Sequence, residues 1–353
     1  MHLRVLRRCT LLILIVLMAI GGVKFHAAAQ DDALPDMIVY TFPDHFPEGI
    51  AWDEAGQRFL LGSLTGGPIL AVTDDGTATP FVEFEAPRPS IGLEVDAARN
   101  RLLVVFSDPS IFTDPTSKGV AMLGAYDLET GEEIWLADLA YQFEEERHFA
   151  NDVVVHPETG IAYITDSLVG AIYFVNPDGG TGTWVYDDAL KGAPGANGIE
   201  ILPEAGDWGD LMIANMSTQT LYLVGLVPPG DNRLLLRPVE IDGGATQIGG
   251  DGLIFDENGV LTVVGRYSDA SGYAGFGVLQ LTSDDEWVTA TTIRSAQLSK
   301  QASTAALRDG AAYVIYPEFI VLNTGQSVDE FTIERVELVD LEIALTETAE
   351  PEN

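Results

Sequence analysis

Four residues that lie far apart in the chain carry side-chain oxygen at the same point of a recurring phrase. They are Glu48 in Glu48-Gly49-Ile50-Ala51, Asn151 in Asn151-Asp152-Val153-Val154, Asn197 in Asn197-Gly198-Ile199-Glu200 and Asp251 in Asp251-Gly252-Leu253-Ile254. Two carboxylates and two amide carbonyls, if brought together, make an oxygen site for a hard cation. Ca²⁺ suits such a site best because it accepts about six to eight oxygens in loose geometry, with Mg²⁺ and Mn²⁺ as alternatives. The histidines form no cluster that offers zinc a better site, and the lone Cys9 sits near the start of the chain. Asn and Asp also begin strands simply because they suit turns, and for either asparagine alone that would be the better account. Four oxygen-bearing residues at one register favour the cation.

The elements that would position them are strands. Apolar runs of four to eight residues, such as Arg101-Leu102-Leu103-Val104-Val105-Phe106, alternate with Gly, Asp, Asn and Pro turn signals, and no long segment has helical period. The most helix-like stretch, residues 140–148, reads as a loop turn. Two further copies of the phrase begin at Ile91 and, more weakly, at Thr304. The six starts are separated by roughly 43 to 60 residues, a length that suits one four-stranded sheet per copy. Six such sheets arranged radially predict an all-β, six-bladed β-propeller over residues 36–340, which protects its sheet edges by closing into a ring. Closure would pair the strand near Met37–Tyr40 with one near Phe331–Val339. A pair of β-sandwiches explains neither the period nor the count of six. In a propeller the innermost strands begin near the axis, so equivalent positions of different blades face one another there.

Phe46-Pro47-Glu48-Gly49, Ala150-Asn151-Asp152, Ala196-Asn197-Gly198-Ile199 and Gly250-Asp251-Gly252-Leu253 resemble the motifs of the SMP-30/gluconolactonase/LRE family. Their Glu, Asn, Asn, Asp order is also similar to the calcium site of diisopropyl-fluorophosphatase and paraoxonase-type propellers. The resemblance implies a Ca²⁺-dependent hydrolase of lactones or related esters. It places Glu48, Asn151, Asn197 and Asp251 as metal ligands at the mouth of the tunnel, Asn151 contacting either metal or substrate. Family members of the regucalcin type carry an arginine two residues before the third-blade asparagine, where it helps hold a sugar lactone. This chain has Phe149 there, which points towards a more apolar lactone or ester.

Asp251 is the candidate to activate water, with direct attack by its carboxylate as the alternative route. His45 and His148 each stand three residues before a ligand candidate. His148 is therefore a second catalytic candidate, as general base or proton shuttle, against the plainer reading of a loop histidine bonded to backbone. Asp152 is expected to cap its own turn rather than bind a second Ca²⁺. Asp166 and Ser167 are expected to make a turn, and His156 to lie on the surface. Arg266-Tyr267 and Lys300-Gln301 are weaker candidates for substrate contact. The tryptophans are spread over the blades and read as packing. A rival function of another class is a non-catalytic extracellular propeller that keeps a structural Ca²⁺ and binds a small ligand or protein.

The chain opens with Arg4, Arg7 and Arg8, an apolar run from Leu11 to Ile20, and Ala27-Ala28-Ala29. That order reads as a cleaved signal peptide over 1–29, hence a secreted protein, extracellular or periplasmic, with no stable membrane insertion after cleavage. Residues 30–35 read as a linker and 341–353 as an acidic, disordered tail. The mature chain has no cysteine, which excludes disulfides and thiol catalysis. Lys and Arg number 18 against 54 Asp and Glu, a formal charge of −36, so nucleic acid and anionic membranes are poor partners. Divalent cations and a small-molecule substrate suit such a surface better. The same composition could also reflect a saline medium.

Overall fold

The apolar runs pair into six sheets placed around one axis, antiparallel except where Gly119–Val120 joins the blade-3 sheet and Glu240–Ile241 the blade-5 sheet in parallel. The computed structural model describes residues 34–202, 209–226 and 236–341. The expected signal peptide, most of the linker and nearly all of the acidic tail lie outside the described residues, as does Trp208. Among the described residues no helix is long and apolar enough to cross a membrane.

The innermost strands of blades 1 to 6 are Ile50–Asp53, Ser90–Asp96, His148–Val155, Ala196–Ile201, Ala245–Phe255 and Ala305–Arg308. Each is followed by neighbours that step outward, for example Arg101–Phe106, Met122–Asp127 and Glu133–Asp138 in blade 2. All six copies of the recurring phrase therefore fall within or just before an innermost strand, including the weak one at Thr304. The fold class expected from the sequence is the observed one, a six-bladed β-propeller.

The outermost strand of blade 6 is Met37–Thr41, paired antiparallel to Glu330–Arg335, with Tyr40 opposite Phe331. The ring is thus closed by the first described strand inside the last sheet. Val339 departs from the expectation: it pairs with Ser295 of blade 5 instead. The stretch at 140–148 contains a single 3₁₀ turn, Ala140–Phe143, and His148 already belongs to the innermost strand of blade 3.

Among the described residues the buried apolar side chains form six clusters: five join two adjacent blades, and the one across the closure also takes in Ile91, Ile111 and Phe149. Leu60 and Ile69 of blade 1 meet Leu102 and Phe106 of blade 2. Tyr313 and Ile315 of blade 6 meet Phe59 and Leu61 of blade 1 across the closure. The second strand Arg101–Phe106 is buried throughout and, after Arg101, entirely apolar because it is covered on both faces. Polar clips reinforce the layers: Arg58 and Arg101 pair with Asp53 and Asp96 of their own blades at 2.8 Å each. Their guanidinium groups also donate to the carbonyls of Leu128 and Gly160 in the next blade.

Phe59 shares the closing layer with two aromatic neighbours, its ring centroid 5.0 Å from Tyr313 and 4.7 Å from Trp52. It is fully buried. Phe59→Ala is expected to lose about 3–5 kcal/mol of stability, read as a lower urea midpoint, because it removes a large ring from a layer that cannot collapse.

Candidate metal centre and catalytic site

Glu48, Asn151, Asn197 and Asp251 line one cavity of about 250 Å³ on the propeller axis. The backbone reason is a repeated irregularity. The ladder between innermost and second strand slips between Ser90 and Leu93, Ala150 and Val153, Ala196 and Ile199, and Gly250 and Gly252. In blades 3, 4 and 5 the bulge carries Asn151, Asn197 or Asp251, and each of these lines the cavity. Ile91 at the blade-2 bulge packs in an apolar layer instead, and Glu48 stands just before a strand whose pairing is regular. The residue after the recurring position meets the next blade. A Cβ on Gly198 would lie 2.6 Å from the carbonyl oxygen of Asp251, and one on Gly252 would lie 2.1 Å from Oγ1 of Thr304. Glycine recurs there because the innermost strands converge too closely for a side chain.

Blade 3 departs from that pattern by carrying Asp152. Its Oδ1 accepts from the Val153 amide at 2.9 Å and its Oδ2 from the Ile199 amide of blade 4 at 3.3 Å. Asp152 does hold its own bulge, as expected, but it also bridges two blades and lines the cavity.

Three of the ligand candidates are buried, Asn151 at 4% exposed, Asn197 at 3% and Asp251 at 8%, and Glu48 is half-buried. Nδ2 of Asn197 donates to Oδ1 of Asp251 at 2.7 Å, and Nδ2 of Asn151 donates to Oγ of Ser167 at 3.0 Å. In both amides the nitrogen end is occupied and the oxygen end carries no hydrogen bond among the described residues. Glu48 likewise has no partner for its carboxylate among the described residues, while its backbone carbonyl accepts from Ser303 at 2.7 Å. Two free amide oxygens and two carboxylates are a donor set that fits Ca²⁺. Among the described residues no group of three or more His, Cys, Asp and Glu side chains could hold a metal ion by itself, so the amides are needed.

Two carboxylates missed from the sequence, Glu94 and Glu200, lie in the same cavity. Each stands three residues after its blade's recurring position, as a charged residue inside an apolar strand, and that was the available signal. Five carboxyl groups therefore share one concave, poorly solvated space. Burial and the charges of Asp251 and Asp152 hold Glu48 well above the usual carboxylate range. Glu94 is raised by burial and then by Glu200, Asp152 and Asp96. Burial pushes Glu200 up to about 8 and Asp152 up to about 7. Asp251 is also pushed up to about 7 by burial, with Asp152 adding to the rise and hydrogen bonds from Asn197 and Gln301 opposing it. A carboxyl near neutrality is suited to exchange protons with water. A divalent cation would relieve the repulsion directly.

His148 does not join this site. Its Nδ1 lies 2.8 Å from Oδ2 of Asp166 and its Nε2 lies 3.0 Å from the Phe143 carbonyl. Burial lowers its pKa, but the hydrogen bond and charge of Asp166 and the Phe143 carbonyl outweigh burial and leave it raised. Both nitrogens are committed as donors, so none is left to take a proton from water in the cavity. The expectation of a second catalytic residue at His148 is corrected to a buried ion pair that anchors blade 3. Asp166 is more than a turn residue: it also accepts from the Phe149, Leu168 and Val169 amides and from Tyr173 Oη.

His45 is likewise structural, held between Tyr40 Oη and the Pro68 carbonyl and pushed down to about 4 by burial. His156 is nearly buried rather than superficial, its Nδ1 accepting from the turn amides of Glu158 and Thr159. Arg266 lies against the Phe276 ring and Tyr267 packs in the blade-5 layer, away from the axial cavity. Lys300 pairs with Glu318, whereas Gln301 reaches Asp251. Trp135, Trp184 and Trp287 pack against neighbouring side chains. Trp52 packs on Phe59 and also lines the cavity.

Phe149 is buried in the apolar layer that includes Phe46, Leu64 and Ile111. Its ring centroid is 4.8 Å from that of Phe112.

With this geometry in hand, solved structures can be compared. The major allergen Mala s 1 of Malassezia sympodialis is similar at 20% identity and a TM-score of 0.67, over 86% of this chain and 97% of that chain. A gluconolactonase of Xanthomonas campestris is similar at 18% identity and a TM-score of 0.51, over 86% and 91%. A calcium-binding regucalcin of Agrobacterium tumefaciens is similar at 16% identity and a TM-score of 0.52, over 83% and 91%. The shared feature is the fold. No protein-family model and no curated protein matches the chain. An allergen and a gluconolactonase on one scaffold also mean that the fold does not decide the function, which must be argued from the site.

Proposed function

We propose that this protein is an exported, Ca²⁺-dependent hydrolase that acts on a lactone or related ester at the mouth of the propeller channel. The observation that carries the reading is the pair of asparagines whose nitrogen ends are both occupied, leaving two amide oxygens beside Glu48 and Asp251. Glu48, Asn151, Asn197 and Asp251 would hold the ion. Bound there, Ca²⁺ supplies Lewis-acid polarisation of the substrate carbonyl.

Asp251 takes the proton from water. The hydrogen bond that Asp251 accepts from Nδ2 of Asn197 at 2.7 Å fixes the orientation of its carboxylate. The family resemblance and the likeness to solved gluconolactonase and regucalcin propellers support a lactonase type of chemistry. Phe149 stands where sugar-lactone enzymes carry an arginine and is itself buried in an apolar layer, so the charged contact to a sugar lactone is missing and a less polar substrate is favoured.

The test is a panel of lactones, aryl esters and phosphotriesters assayed with Ca²⁺ and with EDTA. Turnover of an apolar lactone or ester that EDTA abolishes is the expected result. Absence of metal-dependent turnover on every class would favour the non-catalytic propeller that binds a ligand around a structural Ca²⁺.

A further inference from the structure

Ser167 directly follows the second strand of blade 3, Ala162–Asp166, and is fully buried. Its Oγ lies 2.6 Å from the carbonyl oxygen of Ala196, in the blade-4 strand immediately before Asn197. A carbonyl can only accept, so the one hydroxyl proton of Ser167 is committed to it. What remains on Oγ is acceptor capacity, and among the described residues the one hydrogen bond it accepts comes from Nδ2 of Asn151 at 3.0 Å. The amide of Asn151 must therefore present its NH₂ to Ser167 and its oxygen to the opposite side. Two residues earlier, Thr165 Oγ1 repeats the arrangement with backbone groups, donating to the Asn197 carbonyl at 2.7 Å and accepting from the Asp152 amide at 3.1 Å.

We infer that Ser167 is a positioning residue for the cation site: it sets which end of Asn151 faces the channel and ties that residue to the start of the Asn197 strand. The inference rests on the calcium reading of the site. An asparagine free to rotate its amide offers a positive NH₂ edge to the cation as readily as an oxygen, so the orientation must be imposed from behind. The dependence is peculiar to an amide. A carboxylate at 151 has oxygen at both ends and needs no such instruction.

That difference supplies the test, a double-mutant cycle read by calorimetric Ca²⁺ titration of the full mature chain, with thermal melting of each calcium-free protein alongside. Ser167→Ala is expected to weaken Ca²⁺ binding about 10- to 100-fold when residue 151 is Asn, the range typical of groups that orient metal ligands. In the Asn151→Asp background the same Ser167→Ala change is expected to leave the affinity within about threefold. Equal weakening in both backgrounds, or none in either, would overturn the positioning role while leaving the calcium site standing. No calcium binding by the unsubstituted protein would overturn the calcium reading and this inference with it. If Ser167→Ala does not fold, Ser167→Cys, whose thiol is a poor acceptor in a similar volume, takes its place in the same cycle.

Discussion

Asp251→Ala is expected to weaken Ca²⁺ binding by about 100-fold or more and to reduce hydrolysis to the uncatalysed background. The change removes one of only two carboxylates among the four ligand candidates. It also removes the acceptor 2.7 Å from Nδ2 of Asn197, so a second ligand loses the bond that orients it. Asp251→Asn separates these effects. An asparagine oxygen at 251 can still accept from Asn197, so the amide stays oriented while the charge and the base are lost. Calcium affinity is expected to fall less than in Asp251→Ala, whereas turnover is expected to be lost in both. Calcium calorimetry and initial rates on the same preparations check the split, and full activity in Asp251→Ala would remove Asp251 from the site.

Removing calcium is expected to make stability fall as pH rises between about 5 and 8. Asp152 and Asp251, each pushed up to about 7, and Glu200, pushed up to about 8, bind their protons more tightly folded than unfolded, where such groups titrate near pH 4. Across that window the folded state holds more protons than the unfolded one, so the slope of stability with pH is negative. His148 contributes in the same direction, since its raised pKa gives stability that is lost as pH rises through the folded value. Exposed carboxylates with lowered pKa, such as Asp114 and Asp127, act only at lower pH, their stabilisation being lost as pH falls through the folded values.

In EDTA the melting temperature should therefore drop from pH 5 to pH 8. At pH 8, Ca²⁺ at 100 times its Kd should restore about 2.7 kcal/mol, or roughly 5 °C. Glu94→Gln with Glu200→Gln should flatten the calcium-free slope, because it removes two of the five carboxyls that repel one another and leaves His148 untouched. A calcium-free protein whose melting temperature is flat across this range would contradict the crowded-carboxylate account.

Much of this molecule is legible without coordinates because a propeller repeats itself. Each blade must bury a strand on both faces and then return to the axis. The same short apolar run, turn and polar first residue are therefore written six times, and the weak copy at Thr304 gains weight from the other five. Glycine at 49, 92, 198 and 252 carries the same message in another form, marking where neighbouring strands converge. The misreadings are local. His148 stands as close in sequence to Asn151 as a catalytic residue might, yet Asp166, 18 residues later, captures it. Asp152 was weighed as a cap for its own turn, and the Ile199 amide that it also holds belongs to another blade.

The sequence by itself determined the fold class, the number of blades, the strand that closes the ring and the four residues that meet at the axis. These follow from periodicity and register, which are properties of the chain taken a few residues at a time. Only the tertiary structure decided which way those side chains present their atoms. The bulges that aim three of them and the Ser167 hydroxyl that occupies the Asn151 nitrogen arise between neighbouring strands of one blade. The Asp251 carboxylate that occupies the Asn197 nitrogen and the crowding that raises Glu94 and Glu200 arise between blades. Hydrogen-bond direction and desolvation depend on which groups are brought within a few ångströms, and strands some 50 residues apart in sequence meet only when the ring closes.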